Sequence, residues 1–159
     1  MLLVGTAPAG GEDIMHLEKP ELRNNLEDPT LSGLRILVKL FFTPSESSQA
    51  AGQAFVTRLA ARTRDREPVS GPKVAQAQIE AFRAWERVDG ERFEELRRIS
   101  HPCLVVNGML DTMIPARNSY LLAEHLPDAM LLIYPDAGHG SLFQFHDAFV
   151  RHATLFLDS

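Results

Sequence analysis

Cysteine is almost absent from this chain: Cys103 is the only one in 159 residues. One thiol excludes an internal disulfide framework and any zinc site built on paired cysteines. It lies inside an apolar run, so it reads as a small buried residue. An excess of positive charge is lacking too. The 16 Lys and Arg against 21 Asp and Glu leave a formal net charge of -5, which excludes nucleic-acid binding through a generally cationic surface. No apolar run approaches the length of a membrane span. The opening MLLVGTAPAGG has no basic region and too short an apolar stretch for a signal peptide. The expected setting is therefore the cytoplasm, with no membrane partner. Repeats and low-complexity segments are also missing. What remains is 45% hydrophobic and 23% charged residues, a globular composition able to bury a core at one-domain length.

Three short apolar runs stand out: residues 2–4 (LLV), 103–107 (CLVVN) and 130–134 (MLLIY). Each is continuous rather than alternating, which fits parallel strands covered on both faces. Each ends in a loop carrying glycine or proline: GTAPAGG, GMLDTMIP and PDAGHG. Helical patterns follow the last two. Residues 115–126 place Pro115 at a first helical position, and residues 143–157 repeat Phe145, Phe149, His152 and Phe156 at helical spacing. This alternation predicts an α/β fold of about three parallel strands with flanking helices.

A long helical region, about residues 9–100, separates the first strand from the second. Residues 31–42 are apolar enough to be largely buried. TPSE at 43–46 predicts a capping box, with Thr43 as cap, Pro44 at the first helical position and Glu46 at the third. That helix should run to about Arg62. RTRDREP then forms a solvated turn of mixed charge. SGP at 70–72 opens another helix, which the Asp-Gly pair at 89–90 closes. ERFEELRRI supplies a last helical turn before the second strand.

Asp111 follows the second strand and His139 follows the third. Loops at the carboxyl ends of parallel strands share one edge of the sheet, so the two can meet. A carboxylate beside an imidazole fixes its tautomer and stabilises its protonated form, as a general base in acyl transfer requires. Gly138 and Gly140 leave space for close approach to His139. Plainer readings stand beside these. Asp111 is also suited to cap the turn before Pro115, and His139 to bond loop backbone. His146 and His152 read as ordinary helix residues. His139, His146 and Asp136 fit no common metal-ligand spacing. Ser141 lies close to His139 but lacks a strand-to-helix elbow. Trp85, Phe41, Phe42 and Met15 read as packing within the helical block rather than as pocket lining.

VVNGMLDTMIP followed by YPDAGHG resembles the acid and histidine segments of the α/β-hydrolase fold superfamily, whose triad runs nucleophile, acid, histidine along the chain. The resemblance implies that Asp111 is the acid and His139 the base. LLVGTAP resembles that family's sixth strand. Residues 1–8 and 99–159 would then form the C-terminal part of the hydrolase core, and residues 9–98 a helical cap. The implied activity is hydrolysis of an ester or similar small apolar substrate, with no metal or organic cofactor. The Gly-x-Ser-x-Gly nucleophile motif occurs nowhere in the chain. Ser32, Ser45, Ser47, Ser48, Ser70, Ser100, Ser119 and Ser141 all lack that setting. The nucleophile is thus expected on a missing N-terminal half, with the oxyanion hole. It is a serine, or an aspartate as in haloalkane and epoxide hydrolases. The alternative is a non-catalytic fragment or interaction module. It would pair through its exposed sheet edge with the missing half or with a second copy as a homodimer.

Overall fold

The computed structural model describes residues 1–14, 20, 24, 33–65 and 71–159. Its elements are β1 (Leu2–Val4), α1 (Arg35–Phe41), α2 (Glu46–Ala61), α3 (Pro72–Trp85), a 3-10 turn (Glu94–Arg98), β2 (Cys103–Gly108), α4 (Ala116–His125), β3 (Ala129–Tyr134), α5 (Ser141–Gln144) and α6 (His146–Leu157). The strands form one parallel sheet in the order β1-β2-β3. Val105 lies opposite both Leu3 and Leu131, which sets the register.

The central strand organises the core because its side chains alternate between two faces. Cys103 and Val105 pack with Leu122 and Leu126 of α4 on one face. Leu104 and Val106 pack with Tyr134 and Ala137 on the other, where Phe145, Phe149 and Phe156 close over them. All six residues of β2 are buried. The outer strands differ from expectation. Met130 of β3 is 58% exposed and Leu2 of β1 is 36% exposed, so only β2 is covered on both faces.

The helical region departs from its sequence reading in three places. First, α1 contains no fully buried residue. It packs against α2, and its last residue, Phe41, against the loop that carries His139, which leaves its apolar side chains half-buried. Second, the cap of α2 is Ser45, whose Oγ accepts from the Ser48 amide at 3.2 Å. Thr43 is displaced from that role because its hydroxyl donates to Asp136 at 2.7 Å. Third, α3 stops at Trp85, short of the Asp-Gly pair. There the Gly10 N–H donates to the Trp85 carbonyl at 3.1 Å, and the indole N–H donates to the Ala7 carbonyl at 3.2 Å. The Gly10 amide thus takes the Trp85 carbonyl that a further helical turn would have used. Met15, Ser32, Ser70 and residues 66–68 of the charged turn lie outside the described residues.

After β3, the single helix expected over 143–157 is broken into α5 and α6 at Phe145, which leaves helical geometry (φ -108°, ψ 36°). Its ring stacks on Tyr134 with centroids 4.9 Å apart. Among the described residues, no helix is long and apolar enough to cross a membrane.

Candidate functional site

Strands β2 and β3 end together, with Gly108 opposite Tyr134. Two backbone bonds stitch the loops beyond them. The Met109 N–H donates to the Tyr134 carbonyl and the Leu110 N–H to the Ala137 carbonyl, each at 2.9 Å. Only glycine fits at Gly108, because a Cβ there would collide with the carbonyl oxygens of Ala137 and Gly138. Asn107 braces the same corner. Its Nδ2 donates to the Ile114 carbonyl at 2.9 Å while its Oδ1 accepts from the Gly108 amide at 2.8 Å.

This stitching brings Asp111 to His139. Asp111 Oδ2 lies 2.9 Å from His139 Nδ1. The Asp111 side chain has no exposed surface, while that of His139 is 23% exposed. The other carboxylate oxygen, Oδ1, accepts from the amides of Met113 at 2.8 Å and Ile114 at 3.0 Å. The turn-capping reading and the imidazole reading of Asp111 therefore hold together, one on each oxygen. An ionised carboxylate only accepts, so Nδ1 carries the proton and donates. The free lone pair is then left on Nε2.

The glycines beside His139 have a different neighbour from the one their spacing suggested. A Cβ on Gly138 would stand 2.7 Å from the Phe41 carbonyl oxygen, and one on Gly140 would stand 2.8 Å from Phe41 Cβ. It is the end of α1 that approaches so closely. The Phe41 ring also meets the His139 ring edge-on, with centroids 5.3 Å apart.

His139 lines a cavity of about 230 Å³ together with Gly5, Thr6, Ile14, Trp85 and Ile114. The walls are apolar apart from Thr6 and the imidazole itself. Trp85, expected as internal packing, stands here at 51% exposure, whereas Phe42 is buried. Asn118 of α4 anchors the loop that leads to Ile14 of the cavity wall, and no sequence signal pointed to it. Its Oδ1 accepts from the Glu12 amide and its Nδ2 donates to the Glu12 carbonyl, both at 2.7 Å. A buried asparagine thereby ties the loop after β1 to the helix after the acid loop.

The remaining candidates stand elsewhere. His146 pairs with Asp147 at 3.5 Å on the surface, and His152 Nδ1 lies 3.2 Å from the Tyr134 hydroxyl. Burial pushes the Tyr134 phenol above its usual range, with Arg151 opposing, so it stays neutral. The Ser141 hydroxyl is buried without a hydrogen-bond partner, so it forms no pair with His139. Among the described residues, no group of three or more His, Cys, Asp or Glu is placed to hold a metal ion.

A family model for the alpha/beta hydrolase fold matches residues 22–145. The chain belongs to the α/β-hydrolase fold family. The structure is similar to an alpha/beta hydrolase fold protein from Chitinophaga pinensis, with a TM-score of 0.86 and 35% identity over 99% of this chain and 55% of that one. It shares its fold with a meta-cleavage product hydrolase from Pseudomonas fluorescens, with a TM-score of 0.68 and 19% identity over 99% of this chain and 55% of that one. In sequence it is 36% identical over 56 residues to a pimeloyl-[acyl-carrier protein] methyl ester esterase from Nitrosomonas europaea. That match covers 35% of this chain and 22% of the esterase. The hydrolase-fold chain described here spans about half the length of these two solved relatives.

Proposed function

We propose that this chain supplies the acid and the base of a hydrolase triad, Asp111 and His139, for an ester or similar small apolar substrate. The 2.9 Å contact between Asp111 Oδ2 and His139 Nδ1, on a histidine that lines an apolar cavity, carries this reading. Asp111 holds the imidazole in the tautomer whose Nε2 accepts a proton. Nε2 takes that proton from a nucleophilic hydroxyl as it attacks the acyl carbon, then returns it to the leaving alkoxide. The buried carboxylate stabilises the imidazolium formed in between. If the nucleophile is an aspartate, it displaces a leaving group from an alkyl carbon to form an enzyme ester, and His139 instead takes a proton from the water that cleaves that ester to the alcohol and the free carboxylate. The nucleophile and its oxyanion hole are supplied by a separate N-terminal half; in support, this chain spans 55% of each of the two solved relatives and carries no Gly-x-Ser-x-Gly motif. Residues 1–8 and 99–159 form the core part and residues 9–98 the cap that roofs the cavity. The chemistry needs no metal or organic cofactor, and the setting is the cytoplasm.

The test is turnover of a chromogenic short-chain ester, measured on this chain alone and with the N-terminal half of a relative added. Little turnover is expected alone. Restored turnover should fall about 10⁴- to 10⁶-fold in His139→Ala. Reconstituted activity indifferent to His139→Ala would overturn the assignment of the base. Turnover by the chain alone that disappears in His139→Ala would instead place the nucleophile within it.

A second reading rests on the outer edge of β1, which has no strand partner among the described residues. Met1 and Leu2 are exposed there. Such an edge offers backbone groups for strand addition by the missing half or by a second copy of this chain. A chain that sediments as a stable monomer at high concentration would remove the homodimer form of that reading.

A further inference from the structure

We propose that Asp136 is a positioning residue for His139. Its carboxylate gathers the hydroxyls of Thr43, Ser45 and Ser47 and so latches the histidine loop to the turn between α1 and α2. This inference rests on the reading of His139 as the base.

Asp136 lies three residues before His139, in the left-handed backbone region at φ 47°. That conformation is uncommon outside glycine and is tolerated best by short polar side chains. Asp136 Oδ1 accepts from Thr43 at 2.7 Å. Oδ2 accepts from Ser45 at 2.6 Å and from Ser47 at 3.2 Å. Thr43 and Ser45 are committed to it, while Ser47 also lies 3.3 Å from the Ser45 hydroxyl. A hydroxyl has one proton, and Thr43 and Ser45 lie much closer to the carboxylate than to each other, at 3.1 Å. Their oxygens meanwhile accept from amides of the same turn, Thr43 from Ser45 and Ser45 from Ser48. The hydroxyls of Ser45, then Thr43, hold the Asp136 carboxyl below the usual carboxylate range, so it is charged at neutral pH.

The latch has a second and a third tie. The Asp136 carbonyl accepts from Gln144 Nε2 at 2.7 Å, and Gln144 Oε1 accepts from the Ser48 hydroxyl at 2.8 Å. The Gly140 N–H donates to the Phe41 carbonyl at 2.8 Å. Residues 136 and 140 are therefore both fastened to residues 41–48, with His139 between them. The Phe41 ring lies against the imidazole on the same side. A shift of the α1–α2 turn must move the histidine loop, and so the angle at which Nδ1 meets Asp111.

The experiment is NMR of the full chain, reading the His139 Nδ1 proton and hydrogen exchange at the Gly140 amide. Asp136→Ala should broaden or abolish the Nδ1 proton signal and raise Gly140 exchange about tenfold or more. Asp136→Asn, which keeps one acceptor oxygen, should restore part of both. Thr43→Val keeps the shape and the remaining donors, so it should fold and show the same changes in weaker form. A folded Asp136→Ala chain with both readouts unchanged overturns the proposal. If that variant does not fold, Thr43→Val decides: altered His139 and Gly140 signals support the latch, and unaltered ones sink it. These signals require no turnover. A latch seen by NMR beside an inactive reconstituted enzyme would therefore count against the triad reading alone. In an active one, Thr43→Val should lower kcat and leave KM unchanged.

Discussion

Replacing Asp111 separates its two roles. Asp111→Ala removes three accepted hydrogen bonds, from the Met113 amide, the Ile114 amide and His139 Nδ1. The side chain it deletes is fully enclosed. A buried donor left without a partner costs about 1–3 kcal/mol. The Ile114 amide is buried and the Met113 amide only partly so, and His139 can turn toward solvent. The expected loss is therefore about 2–4 kcal/mol, most of it from the turn. Asp111→Asn keeps an oxygen for the two amides and presents an NH₂ group to the imidazole. It should cost about 1 kcal/mol, since only charge-assisted strength is lost from the turn. His139 must then accept at Nδ1 and carry its proton on Nε2, the wrong tautomer for a base. Urea denaturation followed by circular dichroism gives the stabilities, and long-range ¹H–¹⁵N correlation spectra give the tautomer. Equal destabilisation by the two substitutions would refute the shared-oxygen argument. So would an Asp111→Asn protein in which His139 still carries its proton on Nδ1.

Gly108→Ala should lower stability by about 3 kcal/mol or prevent folding, because the added methyl meets backbone carbonyls that cannot rotate away. A urea midpoint within error of the parent protein would contradict this. Leu104→Ala opens a void beneath Tyr134 and Ala137 and should cost about 2–5 kcal/mol in the same assay. The carboxyl of Asp136 titrates below its unfolded value, so its contribution is complete above about pH 3.9 and is lost as pH falls through the lower folded value. Asp136→Asn should accordingly flatten the acid limb of the stability curve, and an unchanged limb would assign that limb to other groups. Trp85→Ala widens the cavity and should shift ester preference toward bulkier acyl groups in the reconstituted enzyme. An unaltered ranking of kcat/KM across an acyl series would show that the acyl group binds elsewhere.

The parts of this fold legible in the sequence are those written in local pattern. CLVVN reads as a buried strand because its apolar run is continuous, and β2 is fully buried. Asp111 and His139 could be paired across 28 residues because each follows a strand, and parallel strands deliver their carboxyl-end loops to one edge. The missed features have a common cause, competition between local and distant partners for the same group. Thr43 has the spacing of a helix cap, but its hydroxyl serves Asp136, 93 residues away. The α3 pattern continues past Trp85, yet Gly10 takes the carbonyl on which the next turn would have closed.

By itself, the sequence determined the parallel α/β class, the order of its strands along the chain, and the acid and histidine that converge beyond them. Period and turn chemistry are properties of neighbouring residues. Only the tertiary structure decided that the glycines around His139 make room for Phe41, that Asn118 pins the loop after β1, and that Trp85 faces a cavity. Those outcomes depend on which distant backbone arrives within hydrogen-bonding or van der Waals reach. No spacing along a single stretch of chain encodes that arrival.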